Sequence, residues 1–355
     1  MKLYGKEWTR RDLEAHVGRI EQIGGLRRVQ LSEGPETGVE QIQVRTGAGL
    51  AYTILPSRGM DIGLTEFCGT PLCWLSPNGE IHPAYFEAYG LGWLRTASGG
   101  LLMTCGLTQV GSPSEEDREV LGLHGRAHHI PARQVAAESR WEGEEYEMRV
   151  RGQIDEVSLF GAHLRLTRTI LSTLGQNSIA IEDEVENLGF EPAPHMILYH
   201  FNFGFPMLSE DTHISLPSRR VQPREEDLPL DDVTQWQTPE AGYRERVYYH
   251  EDLAVDANGC TEVSIHNPHF PLLGLQAGGP AIVRLSWDTH NLPYLVQWKM
   301  PSQGTYVLGI EPANCHVEGR AAERQRGSLF MLSPGQSIHY HLKLSVTQEW
   351  SSENL

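Results

Sequence analysis

The sequence contains no run of about eighteen apolar residues, the length that a membrane-spanning helix requires, so we expect no membrane span. Its first twenty or so residues also lack the apolar stretch of a signal peptide. Basic residues are scarce, with 29 Lys and Arg against 46 Asp and Glu and a net charge of −17. A field of this sign repels phosphate backbones and anionic lipids. We therefore predict a cytoplasmic protein that binds neither nucleic acid nor membranes.

Paired cysteines are absent as well. The five cysteines are odd in number, and no C-x-x-C spacing occurs among Cys68, Cys73, Cys105, Cys260 and Cys315. This pattern argues against a disulfide framework and against a structural zinc site. The sequence also lacks a glycine-rich phosphate loop, an internal repeat and a sustained alternation of strands and helices.

What is present is a series of short strands separated by turns, since the chain carries 36 Gly and 21 Pro. Apolar and polar residues alternate clearly in 178–186 and 337–346, as in strands with one buried face. Weaker alternation marks 39–45, 50–55, 146–154, 163–171, 196–205, 261–266, 281–287, 294–299, 305–311 and 328–332. These segments predict an all-β protein, a large antiparallel β-sandwich formed as a single domain over 1–355.

Three segments depart from this pattern. Residues 1–35 predict a short helix, capped by Thr9 and carrying Leu13, Val17 and Ile20 on one stripe, followed by a lead-in strand. Residues 76–93 mix turn formers with aromatics, which suits a loop bordering a pocket. Residues 218–246 are polar and contain proline, so we expect a long excursion over the surface.

The strand 196–206, MILYHFNFGFP, is the most informative. One face carries an apolar, mostly aromatic layer, and the other carries His200 and Asn202 beside a glycine that leaves space. The apolar layer consists of Ile197, Tyr199, Phe201, Phe203 and Phe205. This arrangement favours a ligand-facing surface, although a surface histidine bound to water remains an alternative. Glu311 ends a second strand, 305–311, and Pro312 holds it extended. An apolar setting would raise its pKa toward the range of a base; the alternative is a surface carboxylate at a turn.

Further candidates lie in shorter motifs. In 121–129, LGLHGRAHH, His124 and Arg126 share a face of an extended chain, whereas His128–His129 give only a weak metal signal. Arg58 and Asp61 flank a glycine in LPSRGMDIG, and structural turns with ion pairs explain them equally well. The remaining candidates are Arg95, Asn314 in the E-P-x-N loop, and Trp298, which either stacks on a ligand or packs in the core.

The ordered set of motifs resembles the aldose 1-epimerase (galactose mutarotase-like) superfamily, in its less characterised branch. The resemblance covers roughly Arg58 to Arg320 and consists of RGMDI, GGLL-TCGL, LHGR, LYH-N-G-P, WK, GIEP-N and GR in consistent order. It implies a two-sheet antiparallel supersandwich with a sugar cleft on one sheet. It also implies that His200 is a general acid, Glu311 a general base and His124 a substrate-binding residue.

Two residues are less well matched to the family. The family's arginine sits in a different local pattern from Arg58 and Arg126, and its hydroxyl-binding aspartate has no clear counterpart here. As a whole, the resemblance implies an aldose 1-epimerase-like isomerase without metal or other cofactor. We expect the catalytic pair His200 and Glu311 to be surrounded by substrate-binding residues, namely Arg58, Asp61, Arg95, His124, Arg126, Asn202, Trp298 and Asn314. We expect a small sugar substrate and a monomer or homodimer.

Several alternatives stay open at this point. One is an isomerase or epimerase acting at another carbon, with a metal held by His124, His200 and Glu311. Another is a sugar-binding protein without catalysis, and a cupin-type isomerase is more distant because its spaced metal histidines are absent. Four arginines, Arg58, Arg95, Arg126 and Arg320, would suit an anionic sugar carrying phosphate, sulfonate or a carboxylate.

Overall fold

The computed structural model describes residues 1–116, 119–231, 233–272 and 278–348. The strands, in chain order, are β1 (Lys2–Leu3), β2 (Lys6–Glu7), β3 (Gly25–Gln30), β4 (Glu40–Arg45), β5 (Leu50–Leu55), β6 (Asp61–Phe67), β7 (Thr70–Pro71), β8 (Leu102–Leu107), β9 (Ser114–Glu116), β10 (Glu119–Leu121), β11 (Arg133–Glu142), β12 (Glu145–Val157), β13 (His163–Thr173), β14 (Ser178–Asn187), β15 (Ala193–Gly204), β16 (His213–Ser215), β17 (Ser218–Pro223), β18 (Arg246–Leu253), β19 (Cys260–Phe270), β20 (Gly279–Asp288), β21 (Tyr294–Ser302), β22 (Thr305–Ala313), β23 (Phe330–Leu332) and β24 (Ser337–Gln348). The α-helices are α1 (Arg10–Glu14) and α2 (Arg320–Arg326), and short 3-10 turns lie at Ile20–Gln22, Gly34–Glu36, Pro83–Tyr85, Gly92–Arg95 and Ala127–His129.

Two large antiparallel sheets face each other. The first has the strand order β11-β12-β13-β14-β24-β20-β19-β16. The second runs β17-β18-β21-β22-β15-β8-β6-β5-β4-β3, with β23 and β7 attached to β15 and β6. The predicted all-β sandwich is confirmed, because alternating sequences bury one face of each strand between the sheets. No helix in the described ranges combines the length and apolar composition that a membrane span needs, and the five cysteines are free thiols.

Strand β15 shows how the sequence builds both the core and the site. Its residues Ile197, Tyr199, Phe201 and Phe203 are buried in the core between the sheets. Phe205 follows the strand and is 72% exposed, so the prediction that it joins this aromatic layer is wrong. The opposite face of β15 carries His200 and points away from that core, toward a second set of buried side chains that includes Met103 and Val296.

The N-terminal helix is shorter than predicted. Thr9 caps it as expected, with its side-chain oxygen accepting from Asp12 N at 3.1 Å, and Leu13 is buried. The helix ends at Glu14, before Val17 and Ile20. Gly18 lies between these two residues, and glycine is among the residues least favourable to a helix.

The segment 218–246 is also corrected in part. It begins as edge strand β17 and ends at the start of β18, rather than forming one continuous excursion. Side chains of β21 and β22 hold its connecting part: Gln297 donates to Val233 O at 2.9 Å and Lys299 Nζ to Gln235 O at 3.0 Å. Tyr306 Oη donates to Gln237 O at 2.6 Å.

Candidate active site

Strand register brings the two predicted catalytic residues together. In the β15–β22 ladder, Phe201 pairs with Ile310 and Asn202 with Gly309. The same antiparallel register sets His200 opposite Glu311, with both side chains on the face away from the sandwich core. The His200 Nε2 and Glu311 Oε1 atoms are 3.2 Å apart. Two residues more than a hundred positions apart in the chain therefore form one contact.

Gly309 provides the space for this contact. A Cβ atom at this position would overlap Glu311 Oε1 and would lie 2.9 Å from Trp298 Cβ and 3.2 Å from His200 Cε1. Only a residue without a side chain leaves both groups where they are.

The pair is almost completely removed from water, with His200 6% and Glu311 2% exposed. Burial raises the pKa of Glu311 well above the ordinary value for a carboxyl, and the charge of Glu245 adds to this effect. Burial lowers the pKa of His200, and nearby His124 lowers it further. Both directions favour the uncharged forms of the two groups.

His124 lies beside the pair in a backbone conformation that few side chains adopt, with φ of 56°. Its ring is perpendicular to that of His200 at a centroid distance of 6.0 Å and packs against Trp93 at 4.9 Å. Burial lowers its pKa to about 4, so it is neutral at physiological pH. The Nδ1 atoms of His124 and His200 have no hydrogen-bond partner among the described residues, and buried polar atoms of this kind suit a ligand contact.

These groups open into a cavity of about 640 Å³. Its walls are largely apolar and aromatic, with a few polar groups, a composition typical of small-molecule sites. The lining residues are Trp74, Ser76, Asn78, Leu91, Trp93, Leu94, Ala97, Met103, Gly111, Ser112, Pro113, Leu123, His124, His200, Arg224, Glu245, Val247, Trp298, Thr305, Glu311 and Val317. The loop 76–93 borders the cavity as the sequence predicts.

Arg224 and Glu245 are charged residues of this cavity that the sequence did not single out. Arg224 Nη2 lies 3.3 Å from Glu245 Oε1 and 3.0 Å from Glu225 Oε1. Glu245 Oε2 also accepts from Trp298 Nε1 at 3.1 Å. The two residues bracket the connection between β17 and β18, and no local motif marks them. Only the pairing of these strands, which places both ends of the segment at the cavity, would have identified them.

A family model described as "Domain of unknown function (DUF4432)" matches residues 36–346. The chain belongs to this DUF4432 family. None of the proteins with curated functions matches the chain.

Solved structures show the same fold as this DUF4432 protein. A protein from Klebsiella pneumoniae subsp. pneumoniae MGH 78578, provisionally described as an aldose 1-epimerase, is 26% identical with a TM-score of 0.81, over 90% of this chain and 83% of that one. A galactose mutarotase-like protein from Clostridium acetobutylicum is 14% identical with a TM-score of 0.58, over 92% and 100%. A galactose 1-epimerase from Lactobacillus acidophilus NCFM is 14% identical with a TM-score of 0.52, over 92% and 100%.

The structure of the DUF4432 protein places Arg58 and Asp61 outside the cavity, which corrects the sequence expectation. Both are fully buried in an ionic network. Asp61 accepts from Arg168 Nη1 at 2.8 Å and from His128 Nδ1 at 2.6 Å, and Arg168 also pairs with Asp183 at 2.6 Å. Arg58 Nη2 lies 2.7 Å from His128 Nε2, so Arg58 donates there and His128 is neutral. The network ties β6 of one sheet to β13 and β14 of the other.

The other predicted arginines also point elsewhere. Arg126 is exposed and outside the cavity, and Arg95 is exposed with its Nε 3.6 Å from Glu87. Arg320 is buried against Glu116 at 2.7 Å. The four arginines expected to suit an anionic sugar, Arg58 included, therefore do not converge on the cavity, because each is solvated or held by protein groups.

The two predicted asparagines brace the backbone instead of lining the cavity. Asn202 Nδ2 donates to His200 O at 3.0 Å and to Gly100 O at 3.1 Å. Asn314 Oδ1 accepts from Ile197 N at 2.8 Å. Of the ten residues predicted from the sequence, the cavity thus brings together His124, His200, Trp298 and Glu311. Within the described part of the chain, no group of three or more His, Cys, Asp and Glu side chains is placed to hold a metal ion.

Proposed function

We propose that this protein is an aldose 1-epimerase, which interconverts the α and β anomers of a sugar by opening and closing its ring. The observation that carries the proposal is the buried contact of 3.2 Å between His200 Nε2 and Glu311 Oε1 on the cavity floor. One group of the pair can take a proton while its neighbour gives one, which is what opening a hemiacetal ring requires.

In the proposed reaction the pair begins uncharged, with a proton on the carboxyl of Glu311 and none to spare on His200. Transfer of this proton from Glu311 to His200 gives a carboxylate beside an imidazolium, and their mutual attraction offsets part of the cost of burying both charges. The carboxylate of Glu311 then removes the proton from the anomeric hydroxyl, and the O1 electron pair forms the C1=O1 bond. The C1–O5 bond breaks as O5 takes the proton of His200. The pair is returned to its uncharged state.

Ring closure reverses these steps. Rotation about C1–C2 presents the other face of the aldehyde to O5, His200 takes back the O5 proton, and Glu311 protonates O1. The net charge of the site stays constant throughout, which suits a low-dielectric cavity.

Substrate binding is assigned to the remaining polar groups of the cavity. The Arg224–Glu245 pair presents donors and acceptors side by side, the combination that recognises neighbouring hydroxyl groups. His124 adds its unpaired Nδ1, and the half-buried indole of Trp298 offers an apolar surface to the C–H face of a sugar. The Klebsiella relative, provisionally described as an aldose 1-epimerase, supports the proposed reaction.

The test is anomer exchange measured by NMR saturation transfer between the anomeric protons of a panel of aldoses. We expect exchange on at least one sugar, and a loss of roughly 100- to 10,000-fold for Glu311→Gln and for His200→Gln. Matched controls are Glu182→Gln and His339→Asn on the exposed face of the other sheet, which should retain the wild-type rate. Wild-type rates in both site variants on the true substrate would disprove the mechanism.

A further inference from the structure

The cavity extends well beyond the catalytic pair. Thr305 and Glu311 both line it, and they lie six positions apart on β22. Residues 305, 307, 309 and 311 share one face of this strand, while Leu308 and Ile310 face the sandwich core. The catalytic groups meet over Gly309, where a Cβ would contact Glu311 Oε1 and His200 Cε1. At the rise of an extended strand, the path from Gly309 to Thr305 is about 13 Å long.

A single sugar ring does not fill this length. With bonds of about 1.5 Å, a pyranose with its hydroxyl groups spans about 7 Å. The cavity volume of about 640 Å³ likewise exceeds what one ring occupies, since it corresponds to roughly twenty water molecules. Space therefore remains for a second unit along β22.

Two tryptophans stand along this extension. Trp298 pairs with Gly309 in the β21–β22 ladder, and its ring lies 5.5 Å from that of His200, at the near end of this extension. Trp74 meets it edge to face at a centroid distance of 6.3 Å. Both indoles are half-buried and line the cavity. Aromatic side chains pack well against the C–H surfaces of sugars. The hydroxyls of the reacting ring are bound by polar groups and do not require these indoles.

We infer that the substrate is a reducing oligosaccharide of at least two units, whose second unit lies along β22 between Trp74, Trp298 and Thr305. The inference rests on the proposed function in one respect: the reducing unit must present its free anomeric carbon to His200 and Glu311. The second unit is consequently attached through a hydroxyl other than O1. The class of reaction that supplies such a substrate is the cleavage of a longer glycan at an internal glycosidic bond.

The test compares binding and exchange for matched sugars and uses one variant outside the catalytic machinery. The probes are the monosaccharides glucose, galactose, mannose and xylose, each with its 1,4-linked reducing disaccharide and trisaccharide. Affinity is measured by calorimetry and anomer exchange by NMR, with the full-length protein. The variant Thr305→Trp narrows the cavity at the start of β22, about 13 Å along the strand from Gly309, next to the turn at Gly304.

We expect at least one disaccharide to bind on the order of ten-fold or more tightly than its monosaccharide, equivalent to about 1.4 kcal/mol. Thr305→Trp should abolish this difference, and Thr305→Ser should retain it. Equal affinities, binding by none of the probes, or a preference that survives Thr305→Trp would overturn the inference. Tight disaccharide binding without any exchange would instead refute the proposed reaction and leave the extended binding site standing.

Discussion

Replacing Gly309 with alanine probes the catalytic geometry without altering either catalytic side chain. The added Cβ would overlap Glu311 Oε1 and crowd His200 Cε1 at 3.2 Å. Restoring an ordinary contact distance requires the carboxylate to move by about 1 Å. Gly309 has no left-handed backbone angle, so alanine is compatible with the strand and the effect comes from the crowding alone.

The expected magnitudes follow from this displacement. Extra volume in a well-packed site costs about 1–3 kcal/mol of unfolding free energy. A misplacement of about 1 Å in a reacting group lowers the rate roughly 100-fold. We therefore expect Gly309→Ala to remain folded, to lose anomer exchange by about that factor in kcat, and to change KM much less.

The assay is NMR anomer exchange together with thermal unfolding. Gly18→Ala is the matched control, because a Cβ there meets no atom within 4 Å. If Gly309→Ala is folded and exchanges anomers at the wild-type rate, the positions of His200 and Glu311 do not determine the reaction, and the argument from their contact is refuted.

Three further outcomes are expected. Burial raises the pKa of Glu311, so the folded protein loses stability as pH rises above 4.5, the pKa of this carboxyl in the unfolded chain. Glu311→Gln should therefore raise the free energy of unfolding at pH 7 but not below pH 4.5. An equal gain at the two pH values would contradict this. Arg168→Met removes the buried cation that faces the carboxylates of Asp61 and Asp183. It should cost about 3–5 kcal/mol in denaturant unfolding, and a loss under about 1 kcal/mol would count against the network. Dialysis against EDTA should leave anomer exchange unchanged, whereas a loss that zinc restores would indicate a metal.

The sequence predicted the fold well because burial alternates along many of its strands, β12, β14 and β24 among them. The alternation in β14 and β24 alone identifies a sheet with one buried face, and the predicted 50–55 coincides with β5. Phe205 and the end of α1 were predicted wrongly for local reasons. Alternation does not show where a sheet stops covering its neighbour, and an apolar spacing does not show where a helix ends.

The site was predicted only where a residue's role depends on its own strand. His200 opposes an aromatic core face, and Glu311 ends a strand before proline, so both could be recognised locally. Arg58 and Asp61 could not be placed correctly, because their partners lie in distant elements. Arg168 is 107 positions from Asp61, and His128 is 70 positions from Arg58. Arg224 enters the cavity through strand pairing, which no local pattern encodes.

The attachment of the segment between β17 and β18 has a consequence for how a ligand arrives. The two ends of this segment, Arg224 and Glu245, form part of the cavity wall. Side chains of β21 and β22 donate hydrogen bonds to three of its carbonyls, at Val233, Gln235 and Gln237. Because this wall is already ordered in the folded protein, ligand binding does not require a lid to become ordered. The affinity is therefore not reduced by the entropy cost of closing a lid. Turnover is then expected to be independent of solvent viscosity until diffusion itself becomes limiting.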